Sequence, residues 1–195
     1  MKLIDISQEV LSCKVFWGDD EPQAEFVKRM EDGEEYNLSV FSMCAHNGTH
    51  IDAPFHFIKD GKTVDKMPLD YFVGDCYVVR HEGDVTVDDA YRFLSKARSE
   101  GAGERILIAG RATVTLGAAG VLAEAGIKLI GNESQTVGPE DAPMAVHKVL
   151  LSKEIALLEG LVLTDVPEGK YILSAAPLNF AGFDGAPCRA YLMEK

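Results

Sequence analysis

The run Ile106-Leu107-Ile108-Ala109 is the strongest constraint on the fold of this chain. Consecutive apolar residues bounded by Arg105 and Gly110 fit a strand covered on both faces, as in the centre of a parallel sheet. Ile127-Lys128-Leu129-Ile130 reads as a second such strand. Between them, Thr115 is placed to cap a small-residue helix through Ala125, which Gly126 ends. Upstream, Val87-Asp88-Asp89 opens a helix with Ala90, Phe93, Leu94 and Ala97 on one apolar stripe. Its acids in the first turn suit the positive end of the helix dipole. Further strands are expected at 2–6, 37–45, 75–81, 155–163, 171–174 and 189–193, and a helix at 143–151. This alternation predicts an α/β domain with a mixed sheet. Residues 13–35 show little periodicity, and Gly18-Asp19-Asp20-Glu21-Pro22 reads as turn-rich.

No repeat, low-complexity segment or long linker divides the chain, so residues 1–195 are expected to form one domain. The net charge of −12 argues against a nucleic-acid backbone or an anionic membrane as partner. No apolar run approaches the roughly 18 residues of a membrane span. The opening Met1-Lys2-Leu3-Ile4-Asp5-Ile6-Ser7 lacks the apolar core of a signal peptide, so a cytoplasmic location is expected. The Asn-x-Ser/Thr triplets at Asn37, Asn47 and Asn132 then read as chance matches. Cys13, Cys44, Cys76 and Cys188 form no Cys-x-x-Cys pair and read as reduced thiols.

Three of the five histidines fall within eleven residues, His46-Asn47-Gly48-Thr49-His50-Ile51-Asp52-Ala53-Pro54-Phe55-His56. In a strand, His50 and Asp52 project to one side. Gly48 permits a tight turn that brings His46 to the same point, and Pro54 sets the direction of the chain toward His56. Imidazoles and a carboxylate so placed are expected to hold a divalent metal that keeps an open position for water. His56 stands outside the tight group, which makes it the candidate for moving protons. Phe16, Trp17 and Phe55 are candidates for an aromatic wall against a flat substrate, with core packing as the alternative.

The pattern His46-x-Gly48-Thr49-His50-x-Asp52-x-Pro54-x-His56 resembles the signature of the cyclase / kynurenine formamidase family of metal-dependent hydrolases. Phe16-Trp17-Gly18-Asp19 resembles its N-terminal tryptophan turn, without the usual proline before the glycine. Met67-Pro68-Leu69 with Val73-Gly74-Asp75, His147-x-x-Leu150-Leu151 with Glu159-Gly160-Leu161, and Pro177-Leu178 through Gly182-Phe183-Asp184-Gly185-Ala186-Pro187-Cys188-Arg189-Ala190 extend the likeness over residues 2–192. The resemblance implies a swivelling β/α/β fold, a homodimer or tetramer, and a site of one or two zinc ions, with manganese in some members. His46, His50 and Asp52 would hold the first metal. Asp52 would bridge to a second, completed by His147 and Glu159, and His56 would be the general acid/base. Taken alone, His147 reads as a helix-face histidine. Glu159 needs a partner, because an unpaired buried charge is costly.

The implied reaction is hydrolysis of an N-formyl aromatic amine such as N-formylkynurenine. A cyclic amide or lactone of the isatin type is one alternative; a non-catalytic metal-binding protein on the same scaffold is another. Two stretches depart from the family pattern. Gly131-Asn132-Glu133-Ser134-Gln135-Thr136 replaces the usual Gly-Ile-Asp-Thr-x-Ser and lacks a proline. Gly110-Arg111-Ala112-Thr113-Val114 is short where formamidases carry a longer tryptophan-containing loop. Both lie where substrate contacts are expected. No Gly-x-Ser-x-Gly, P-loop or Gly-x-Gly-x-x-Gly stretch offers another chemistry.

Overall fold

The structure, a computed structural model, describes residues 1–194. In chain order the strands are β1 (Lys2–Asp5), β2 (Gln23–Lys28), β3 (Leu38–Ser42), β4 (His50–Asp52), β5 (Val73–Arg80) and β6 (Gly83–Val85). Helix α1 (Val87–Ser99) leads to β7 (Arg105–Ala109) and β8 (Ala112–Val114), and α2 (Leu116–Glu124) to β9 (Leu129–Asn132). Helix α3 (Met144–Leu151) precedes β10 (Ala156–Glu159), β11 (Gly169–Ser174), β12 (Gly185–Pro187) and β13 (Tyr191–Glu194).

Nine strands form one sheet in the order β1-β13-β11-β5-β7-β9-β10-β4-β12. The neighbours β5, β7, β9 and β10 run parallel at its centre. Antiparallel strands flank them on both sides. The mixed sheet read from the sequence is therefore present. The alternation within β7 shows why that strand is apolar throughout. Ile106 and Ile108 pack with Phe93, Leu94, Leu122 and Leu150 of the helices. Leu107 and Ala109 point the other way, into a core with Ile6, Ile51, Phe72 and Leu192.

The helices begin where the sequence places them. Thr86 and Asp89 form a reciprocal capping box at the start of α1. The Thr115 hydroxyl accepts the Ala118 N–H at the start of α2. The 155–163 run is a strand only through Glu159, because Gly160 turns the backbone at φ +69. A Cβ at Gly160 would collide with the Gly48 carbonyl, so this turn is also a close approach to the histidine loop.

The strands β2, β6, β8 and β12 fall outside the runs expected from the sequence. Residues 23–28, inside the segment read as irregular, form β2, which pairs only with β3 in a separate hairpin. Its partner β3 fulfils the strand expected at 37–45, whereas β2 offers no burial period to detect because its residues are almost all exposed. Every residue of β3 is exposed, and in β2 only Lys28 is even half-buried.

Candidate metal centre and active site

The site is assembled around β4, the three-residue strand inside the histidine cluster. In the antiparallel register of β4 with β10, His50 faces Glu159 and Asp52 faces Leu157. On its other edge, β4 pairs with β12, His50 opposite Pro187 and Asp52 opposite Gly185. The turn before β4 is fixed by the residues between the histidines. Gly48 takes φ +65. The Thr49 hydroxyl donates to the Gly160 carbonyl at 2.6 Å and accepts the Gln8 N–H at 2.9 Å. The Asn47 amide donates to the Val10 carbonyl at 3.0 Å. His147 arrives from α3, one of the residues that face the core there.

His50, Asp52, His147 and Glu159 are 1–3 % exposed and converge on one point. The His50 Nε2 lies 3.3 Å from Asp52 and 3.5 Å from Glu159. The His147 Nε2 lies 3.5 Å from Asp52 and 3.2 Å from Glu159. Behind each ring, Nδ1 donates to a backbone carbonyl: His50 to Gly48 and His147 to Pro143, both at 2.9 Å. A carbonyl can only accept, so each Nδ1 carries a proton and a neutral ring turns its Nε2 lone pair toward the carboxylates. Lone pairs facing anionic oxygens require a cation between them, either a proton or a metal ion.

The electrostatics of the cluster express the same demand. Burial works to lower the His147 pKa, but hydrogen bonds and charge from Asp52 and Glu159 outweigh it and hold the ring at about 10. His50 is raised well above its ordinary value against the same burial. Burial would raise Asp52, yet the His46 charge and the surrounding imidazoles keep it well below the usual carboxylate range. Two imidazoles and two carboxylates, with carbonyls fixing the rings from behind, fit a divalent metal.

His46 lies across Asp52 from this group. Its Nδ1 is 2.7 Å from the Asp52 carboxylate, and its Nε2 is 2.8 Å from Asp184. Burial lowers its pKa, but Asp52 and Asp184 together raise it to about 9. His56 sits in a single 3₁₀ turn, Pro54–His56, that opens with Pro54. Its ring lies 4.0 Å from that of His46, centroid to centroid, and its Nδ1 is 3.0 Å from Asp184. The potential ligand atoms thus form two groups, His50–Asp52–Glu159 and His46–Asp52–His56, with Asp52 common to both.

All six residues line one cavity of about 210 Å³. Phe16 is in its wall, joined by Phe57, whose ring lies 4.5 Å from that of His56 and 5.0 Å from that of His147. Trp17 is 92 % exposed and Phe55 41 %, and the structure places neither in this wall. The aromatic side chains lining this cavity are Phe16 and Phe57.

Asp184 is the site residue that sequence reasoning missed. Its carboxylate touches both His46 and His56, and its backbone carbonyl accepts the Ala53 N–H at 2.8 Å. One signal was available. Gly185 follows it, and a side chain there would strike the His46 ring, so the glycine marks a backbone packed against the site.

The Cyclase family model matches residues 4–139, most of the chain. A kynurenine formamidase from Salinibacter ruber is 37% identical over 208 residues, covering 100% of this chain and 98% of its own. The chain belongs to the cyclase family. A second kynurenine formamidase, from Erythrobacter litoralis, is 36% identical over 99% of this chain and 94% of its own. A solved structure described as a potential metal-dependent hydrolase with cyclase activity superposes with a TM-score of 0.82 at 29% identity, covering 100% of this chain and 99% of that one. The mixed sheet is thus the cyclase-like fold, and the histidine cluster lies within the region that the family model covers. No helix among the described residues is long and apolar enough to cross a membrane.

Proposed function

We propose that this enzyme, a metal-dependent amide hydrolase, removes the formyl group from an N-formyl aromatic amine of the N-formylkynurenine type. The observation that carries the proposal is the buried cation-demanding cluster with His56 and Asp184 at its edge, in a chain alike along its whole length to kynurenine formamidases. His46, His50, Asp52, His147 and Glu159 would hold one or two metal ions, with Asp52 common to both groups of potential ligands. Zinc and manganese both suit this nitrogen–oxygen donor set. When bound, such a metal supplies Lewis acidity and lowers the pKa of water at the site.

The chain's own residues handle the proton. His56 donates its Nδ1–H to Asp184, which leaves Nε2 free for the cavity. From there it takes a proton from water and returns it to the departing amine, so that the amine leaves neutral. Asp184 holds the ring in that tautomer and stabilises it while it is charged. Phe16 and Phe57 receive the aromatic ring of the substrate.

A second reading, hydrolysis of a cyclic amide or lactone, is favoured by the departures at 110–114 and 131–136. A panel of N-formyl anilines, isatin-type rings and lactones, assayed with Zn²⁺ or Mn²⁺, separates the two. Highest kcat/KM on the N-formyl anilines is the expected result. Preference for a ring substrate transfers the assignment to the second reading, and metal binding without any turnover makes the protein non-catalytic.

We also propose that the enzyme is a homodimer or a higher homo-oligomer. The β2–β3 hairpin exposes Phe26, Val27, Leu38, Val40 and Phe41, each 43–61 % accessible. A lone two-stranded hairpin is marginal in water, and one with this much exposed apolar surface needs a covering surface. A second copy of the chain supplies it.

A further inference from the structure

Buried side-chain polar atoms without a partner are rare in a folded protein, and in this one they share a single stretch. Among the described residues they are the Asn132 Oδ1, the Gln135 Nε2 and the Thr136 Oγ1, all within residues 132–136. Gln135 and Thr136 both line the metal cavity, where they face the same space as His56. Thr136 is 3 % exposed, so bulk water does not serve its hydroxyl.

The backbone around these side chains is pinned from several sides. The Ser134 carbonyl accepts the Gly160 N–H and the Val137 carbonyl accepts the Val114 N–H, both at 2.8 Å. The Asn132 amide donates to the carbonyls of Ala112 and Thr136, at 3.3 and 3.1 Å. The Val137 N–H donates to Glu159 Oε1 at 2.8 Å, the carboxylate oxygen that lies 3.2 Å from His147 Nε2. The stretch is thus keyed to the metal cluster, and Gln135 and Thr136 keep a set place beside it.

The Gln135 Nε2 can only donate, and the Thr136 hydroxyl has its hydrogen free. A buried donor is unfavourable until an acceptor arrives. Fixed donors are most useful where negative charge develops during a reaction, because they need no reorganisation at that moment. In the same wall, the ionised carboxylates Asp19, Asp52 and Glu159 are acceptors only and repel an oxygen that gains charge.

We propose that Thr136 Oγ1 and Gln135 Nε2 are paired hydrogen-bond donors to the carbonyl oxygen of the scissile amide. This rests on the hydrolase reading of the metal site and adds two catalytic residues to it. Water adds to the carbonyl carbon as its proton passes to His56, and the C=O electron pair moves onto the oxygen, where the two donors meet it. The pair returns as the C–N bond breaks and the amine takes the proton from His56. A formyl amide and a cyclic amide present the same oxygen, so the assignment holds for either substrate.

The test uses metal-loaded enzyme with N-formylaniline and with isatin, reading kcat and KM separately. Thr136→Val removes the hydroxyl and nearly keeps the shape of the side chain. A fall in kcat of about 10²-fold is expected, the size seen when one such donor is lost, with KM and metal content little changed. The Tm should be no lower than that of wild type, because an unpaired buried hydroxyl has gone. Thr136→Ser should restore kcat, and Gln135→Leu should lower it by a similar factor. Wild-type kcat in Thr136→Val or in Gln135→Leu overturns the paired-donor assignment and leaves the hydrolase reading standing. A lowered Tm, lost metal or failure of serine to rescue makes the role of Thr136 structural and overturns it too. Turnover of neither substrate by wild type overturns the hydrolase reading, and the donor assignment with it.

Discussion

His56 and Asp184 stand 128 positions apart in the chain and 3.0 Å apart in the fold. The carboxylate can only accept from the ring, so it fixes which imidazole nitrogen faces the cavity. Asp184→Asn can present its amide N–H₂ to the ring instead, which favours the wrong tautomer. A loss of about 10–100-fold in kcat is expected, by analogy with partners that orient metal-site histidines. Metal content, measured by elemental analysis, should stay at the wild-type level. Unchanged kcat would remove Asp184 from the mechanism.

His56→Ala tests the proton carrier itself. General acid–base catalysis contributes about 10²–10⁴-fold, and a loss of that size is expected with metal retained. Loss of the metal in this variant would reassign His56 as a ligand, a role that its place in the His46–Asp52–His56 group keeps in view.

Chelation tests the cluster. Protein treated with EDTA should lose turnover and regain it with Zn²⁺ or Mn²⁺. The metal should also stabilise the fold, since it binds the native state. At a concentration 1,000 times its Kd the gain is about 4 kcal/mol, visible as a higher Tm. Glu159→Gln removes one of two carboxylates from the centre and should lower both metal content and the Tm gain. Full activity in metal-free protein would falsify the metal assignment.

Gly185→Ala tests the packing behind His46. The added Cβ would lie 2.5 Å from the His46 ring and 2.6 Å from the Ile51 carbonyl. Overpacking of this kind costs about 1–3 kcal/mol. Denaturant titration should show the loss of stability, and kcat should fall because the His46 ring must move. A variant with wild-type stability and activity would show that β12 can yield.

The hairpin tests the assembly. Phe26→Glu with Phe41→Glu places two charges on its apolar surface and should shift the oligomer toward monomer in light scattering. An unchanged mass would direct attention to another surface.

Much of the candidate site was legible because its parts are local. His46, His50, Asp52 and His56 fall within eleven residues, and the i, i+2 spacing of a strand puts two of them on one side. That His147 and Glu159 join this cluster was readable only through the family resemblance. A histidine on an apolar helix and a glutamate at the end of an apolar run both have ordinary explanations. The strands and helices of the middle were legible because each is buried with its own period. Strand β3 was legible within the expected 37–45 run, but its partner β2 was not, because its exposed residues carry no burial period.

The order of residues by itself determined the chemistry at hand: which potential ligands are present and which runs can be central strands. Tertiary structure decided which distant groups share that chemistry. The pairing of β4 between β10 and β12 sets Glu159 opposite His50 and brings Gly185 opposite Asp52, with Asp184 beside it. The same folding joins the 110–114 and 131–136 stretches in one wall and exchanges Trp17 and Phe55 for Phe57 beside the metal centre. Spacing along a chain fixes only which side a residue faces within its own element. Strand register and layer packing fix what it meets, and these depend on the burial of the whole core.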